Sequence, residues 1–193
     1  MGKILESIQS TVIAGFVIMI LLVLAVSQSG YPYDIAFYAR YIHVLSGVMW
    51  IGLLWYFNFV QIPTMPSIPD EMKPAIGKHI APNALWWFRW GAMFTLISGL
   101  VLAMVNGYLI DALTLDESAR LIGIGMWMAI IMWFNVWFII WPNQKIALGI
   151  VEADADAKPA AARKAMLFSR TNTLLSIPML YCMVSAQNGA AGF

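Results

Sequence analysis

The sequence is poor in charge, cysteine and histidine. Charged side chains make up 11% of the 193 residues, against about 25% in an ordinary soluble domain. In water, a chain of this size could not hide the 61% of its residues that are hydrophobic, because a small globule leaves much of its surface exposed. Soluble globular and disordered classes are thereby excluded. A lone cysteine, Cys182, excludes an intramolecular disulfide, the paired-cysteine attachment of c-type haem and any four-cysteine iron–sulfur or zinc site. The formal net charge of +1 leaves no basic footprint for nucleic acid.

In place of charge there is long apolar sequence. Segments 7–33, 41–69, 90–110, 121–144 and 171–193 carry no Asp, Glu, Lys or Arg. Each is long enough for one bilayer crossing, which takes about 20 residues, and too short for two. These runs lack the alternation of membrane barrels. The expectation is an all-α integral membrane helical bundle in one domain, 1–193. Its five spans fall near 11–27, 41–62, 85–105, 120–141 and 171–187, with inner loops at 63–84 and 142–170. The first span, with its apolar core at 12–26, reads as a retained anchor rather than a cleaved leader.

Basic residues set the orientation. With the N-terminus inside, Lys3, Lys73, Lys78, Arg89, Lys145, Lys158, Arg163, Lys164 and Arg170 lie on the inner side. Arg40 and Arg120 lie outside, as does the C-terminal tail. This places the chain as a multi-pass membrane protein, with the lipid bilayer as its first partner. Pro63, Pro66, Pro69, Pro74 and Pro82 predict a stiff, irregular cap between the second and third spans. Asp156 and Pro159 predict a helix start, and Pro178 a kink that frees the Leu174 carbonyl.

No carboxylate falls within any of these spans, which disfavours a proton-driven transporter. The polar groups at membrane depth concentrate towards the inner end: Asn58, Arg89, Asn135, Gln144, Lys145 and Asn172. Two accounts fit them. They glue the helices by satisfying one another, or they form an inward-facing pocket in which Arg89 grips an anion with two-pronged donation. His43 lies near the outer end of its span and shares a helical face with Ser46, Gly47 and Trp50. It either bonds to a neighbouring helix or serves as an axial haem b ligand, with Met126 or Met128 as a partner. Depth separates His43 from His79 by roughly the hydrocarbon thickness of about 30 Å, so these two would not share one iron. Trp86, Trp87, Trp90, Trp137 and Trp141 read as an interfacial belt, and the thirteen methionines as packing.

Four segments carry a family likeness. His43-Val-Leu-Ser-Gly-Val-Met-Trp-Ile-Gly52, Trp55-Tyr-Phe-Asn-Phe-Val-Gln-Ile-Pro63, Ala84-Leu-Trp-Trp-Phe-Arg-Trp-Gly-Ala92 and Phe134-Asn-Val-Trp-Phe-Ile-Ile-Trp-Pro-Asn-Gln-Lys145 resemble the membrane region of the bacterial cytochrome-c-linked urate oxidase (urate hydroxylase) family. The likeness spans roughly 41–187. It implies a membrane oxidoreductase acting on urate, an anionic planar substrate. Arg89 would pair with the anion, Asn58, Asn135 and Gln144 would bond to its edges, and Lys145 or His79 would handle protons. The family's cytochrome c domain has no counterpart here, so a separate cytochrome or respiratory-complex partner would take the electrons. His43-Val-Leu-Ser, Arg170-Thr-Asn172 and Ile177-Pro178 are also similar to the small bacterial membrane protoporphyrinogen oxidase, a four-helix haem b protein. That likeness favours haem at His43, although a lysine of its third helix has no match near Gly125–Met128. The rival expectations are a non-catalytic subunit or homo-oligomeric structural protein, and a passive channel.

Overall fold

The structure, a computed structural model, describes residues 2–27, 34–154 and 156–188. The C-terminal tail expected on the outer side lies outside the described residues beyond Asn188. The chain forms two compact units, Met1–Tyr38 and Ala39–Phe193.

The first unit is dominated by helix α1 (Ile8–Ser27). None of the side chains of Ile8–Val26 is buried within the protein. Apolar residues such as Leu21, Leu22 and Leu24 are more than half exposed all round the helix. Such a helix is stable only if lipid supplies the burial.

The second unit is a bundle. Helix α2 (Ile35–Trp55) enters it at Ala39 and continues through a π-helical stretch, Tyr56–Gln61. Helix α3 spans Ala81–Val105. Helix α4 (Arg120–Phe134) runs on through a second π stretch, Asn135–Ile140, into Trp141–Ala147. Helix α5 spans Ala157–Gln187. Neighbours alternate in direction. Trp55 of α2 meets Ser176 of α5, and Asn58 meets Ser169 further back. Asn135 of α4 meets Asn172 of α5.

The burial pattern departs from that of a soluble bundle: polar groups join the apolar core, and large apolar side chains cover the outside. Thr95, Ser98, Asn135, Ser169, Asn172, Ser176 and Ser185 are inside, while Phe94, Ile97, Leu174, Ile177 and Val184 face out. A solvent of lipid explains this, because the polar groups find partners only within the bundle. The buried face of α5 reads Ala161, Ala165, Ser169, Asn172, Ser176, Met179, Cys182 and Ser185, at the three- and four-residue steps of one helical side. One core gathers around Trp50, Leu54, Phe88, Met132 and Val136. A smaller one, around Ala103, Ala112, Ala119 and Met126, sits at the end where α3 turns into α4. There Gly123 is buried so closely that a Cβ would run into the Ala112 carbonyl, which lets the short helix Leu109–Thr114 close on α4.

Four stretches of helix are long and apolar enough to cross a membrane: Ile8–Val26, Ile35–Ser67, Lys73–Val105 and Glu117–Ala147. At 31 residues α5 has the length, about 46 Å at 1.5 Å per residue. Lys158, Arg163, Lys164 and Arg170 in its first half, together with the buried Asn172, Ser176 and Ser185, lower its apolarity.

The helices outrun the spans and loops expected for them. The irregular cap expected at 63–84 is mostly helical: Ile62–Thr64, Met65–Ser67, Lys73–Ala75 and a π turn at Ile76–Ile80 precede α3. Pro63, Pro66, Pro74 and Pro82 each fall in the first two positions of such a piece, where the missing N–H is not needed. The prolines restart helix instead of preventing it. Likewise, the expected loop 142–170 contains Trp141–Ala147 and the first turns of α5. Asp156 does stand at the N-cap of α5, and the helix runs unbroken through Pro178.

Candidate functional site

A cavity of about 660 Å³ opens among α2, α3, α4 and α5 towards the end carrying the α3–α4 turn. Its wall includes Gly47, Trp50 and Trp55 from α2, Thr95 and Gly99 from α3, Met126 from α4, and Met179 and Met183 from α5. The volume suits an organic ligand or cofactor, for which pockets run about 300–1,000 Å³. Below the cavity, Trp55 Nε1 donates to Ser176 Oγ at 3.0 Å, tying α2 to α5.

His43 stands on this wall, part-buried. Its Nδ1 lies 2.8 Å from the Thr95 carbonyl oxygen. A carbonyl only accepts, so Nδ1 carries the hydrogen and donates it. In the neutral ring, Nε2 then keeps its lone pair. Ser98 Oγ also sits 3.5 Å from Nδ1, while its hydroxyl donates to Phe94 O at 2.5 Å. Metal-ligating histidines commonly tie one ring nitrogen to a backbone carbonyl in this way, leaving the lone pair of the other to accept a hydrogen bond or hold a metal. Gly99 makes room for it: a Cβ there would fall 2.7 Å from His43 Cε1 and 3.0 Å from Nδ1. Among the described residues no three His, Cys, Asp or Glu converge, but a porphyrin iron draws only its axial ligands from the protein.

Of the face expected around His43, Gly47 and Trp50 line the cavity and Ser46 does not. The Ser46 hydroxyl donates back to the Ile42 carbonyl of its own helix. Met126 lines the cavity, whereas Met128 packs against the main core. His79 lies in the π turn before α3, its carbonyl accepting from Asn83 Nδ2 at 3.2 Å. Sequence reasoning missed Met179, Met183 and Gly99. A glycine in mid-span beside a serine was the available signal for the last.

The polar residues expected in one inner pocket form separate groups. Arg89 lays its guanidinium over Trp141, Cζ 3.4 Å from the ring centroid and 5.9 Å from that of Trp137. Lys145 Nζ approaches the same Trp141 ring at 5.8 Å. Arg89 Nε donates to Leu85 O at 3.3 Å, and neither cation has a carboxylate partner among the described residues. Asn58 turns to α5, donating to Ser169 Oγ at 2.8 Å and to Leu54 O at 2.9 Å. Among the described residues its Oδ1 is buried without a partner, as is Trp137 Nε1. Asn135 and Asn172 pair at 2.8 Å, and Asn172 Nδ2 donates to Met132 O at 2.9 Å. Gln144 is half-buried beside Lys145. Asn58 also edges a shallower groove of about 350 Å³ with Arg170 and Thr173. Asn58 lies within the π stretch Tyr56–Gln61 and Asn135 opens the π stretch Asn135–Ile140, a helix irregularity that often marks functional positions.

Residues 108–191 match the family described as urate oxidase N-terminal. The match takes in α4 and α5, with Asn135, Gln144 and Lys145, and stops short of His43 and Arg89. Neither the curated proteins nor the solved structures contain a match to the chain.

Proposed function

We propose that the chain is the membrane redox module of a urate-oxidising system, a helical bundle that seats haem b on His43. The family match over 108–191 supports the urate connection. The observation that carries the haem is the His43 ring: Nδ1–H bound to Thr95 O at 2.8 Å, on the wall of a largely apolar cavity. Haem bound there supplies one-electron transfer. His43 Nε2 would hold the iron, with Thr95 and Gly99 fixing the imidazole plane and Gly47 leaving room for a flat group. Trp50, Trp55 and the methionines exclude water, which suits a redox centre.

At the far end of the bundle, Arg89 and Lys145 attend the anionic substrate. Two cations on one indole, without a carboxylate, call for a counter-charge. A planar anion between Arg89 and the Trp137–Trp141 edge supplies it, with Asn58, Asn135 and Gln144 shaping the surroundings and Lys145 or His79 passing protons. A cytochrome or other respiratory partner takes the electrons. On this reading α5 is a fifth crossing, with its polar side turned inward. The N-terminus is inside, and the bilayer is the bacterial inner membrane.

The visible spectrum of the purified protein tests this. A Soret band and a reducible α band, both lost in His43→Ala, are expected. The rival is a non-catalytic membrane subunit, which the mutual pairing of Asn135 and Asn172 would serve as helix glue. A colourless, folded preparation would leave that rival standing.

A further inference from the structure

The cavity that holds His43 has a polar end. Arg40 lies one helical turn before His43, on the same side of α2, as the three-residue step requires. It lines the cavity together with Tyr108, Gln187 and Asn188. Arg40 is the one Lys, Arg, Asp or Glu among the lining residues, in a wall that beyond His43, Thr95 and this polar end is apolar. No carboxylate pairs with it among the described residues, whose ion pairs are Lys73–Asp70 and Arg120–Glu117. The cavity is therefore amphipathic, with an apolar floor at Trp50 and Met179 and an unpaired guanidinium at its mouth.

We infer that Arg40 is the carboxylate anchor of the bound porphyrin, so that the occupant is a free-acid porphyrin held with its acid edge towards Arg40. This rests on the haem reading of His43. Protoporphyrin carries both its carboxylates on one edge. Driving those anions into the floor would strand charge in an apolar environment. Placing them at the mouth lets the guanidinium receive a carboxylate through two parallel N–H donors. His43 then chooses the metal, and Arg40 chooses which way the ring faces and which porphyrins are retained. Gln187 and Asn188 offer further polar contacts at the same mouth, Asn188 with one side-chain N–H already committed to Val184 O at 2.8 Å.

The test is a titration of the detergent-solubilised full chain, produced in haem-limited cells, with haem and with haem dimethyl ester, read by Soret absorbance. The ester keeps the iron and the ring and removes the charge. Wild type should bind the free acid more tightly than the ester. Arg40→Gln should weaken free-acid binding about 3–10-fold, as expected for one part-exposed charge-assisted contact, and leave ester binding unchanged. Arg40→Lys should recover part of the loss. Equal affinity for acid and ester in wild type would overturn the inference without any variant. So would a loss in Arg40→Gln of the same size for both ligands. If neither ligand gives a His43-dependent spectrum in wild type, the haem reading itself falls, and the Arg40 role with it.

Discussion

Replacing Gly99 with alanine probes the His43 site at one atom. The new Cβ would stand 2.7 Å from His43 Cε1 and 3.0 Å from Nδ1, whereas carbon atoms rest at about 3.5–4.0 Å. The imidazole must withdraw by roughly 1 Å to restore that contact. The Nδ1–Thr95 bond begins at 2.8 Å, so the same movement carries it beyond hydrogen-bond reach. Losing the partner that orients a ligating histidine costs about 10–100-fold in metal affinity. That corresponds to about 1.4–2.8 kcal/mol, in keeping with the ~1–3 kcal/mol typical of an added methyl in a packed site. Haem titration of Gly99→Ala should therefore show a 10–100-fold weaker, spectrally shifted complex. The control is Gly123→Ala, whose Cβ runs into the Ala112 carbonyl in the smaller core. It should lower the melting temperature while haem affinity holds. An unchanged titration for Gly99→Ala would refute the packing argument, since nothing else in the structure requires glycine there.

Two further outcomes follow from particular contacts. Asn172 is fully buried and serves both Asn135 and the Met132 carbonyl, so Asn172→Ala should cost about 1–3 kcal/mol by stranding both partners. Joint replacement of Asn135 and Asn172 by leucine should cost less than that single change, read by thermal melting in detergent; a single variant that melts like wild type would rule out the glue role. At the α3–α4 turn, Asp116 accepts from the Ser118 backbone N–H at 3.0 Å and its hydroxyl at 2.7 Å. These bonds hold its carboxyl below the ordinary value of 3.8. A depressed carboxyl stabilises the fold above its unfolded pKa and loses that contribution as pH falls through the folded one. Asp116→Ala should accordingly melt below wild type at neutral pH, and the two curves should converge only below about pH 4; a gap that persists into that acid range would contradict the assignment.

The distribution of charge made much of this architecture legible. The charge-free runs correspond to α1, α2, α3, α4 and the second half of α5, because lipid leaves a composition signal stronger than any local propensity. Prolines misled at 63–84, since their effect depends on whether each opens a helix or interrupts one. Lateral grouping was not legible. Arg89, Asn58 and Asn135 were expected in one pocket, yet one stacks on Trp141 and the others turn to α5. Which side of a helix meets which neighbour is settled by packing. The same holds at the cavity, where Gly47 faces inward and Ser46 bonds to its own helix. His43 was identified by its scarcity, but its partner Thr95 lies 52 residues away, and no spacing rule reaches it.

Chemical rescue asks directly whether His43 Nε2 is an iron ligand. His43→Gly removes the imidazole while leaving its space in the cavity wall. Adding free imidazole to the haem-titrated variant should restore the wild-type Soret and α bands along a saturable curve. A variant whose bands already match wild type, or which imidazole leaves unmoved, would contradict the account.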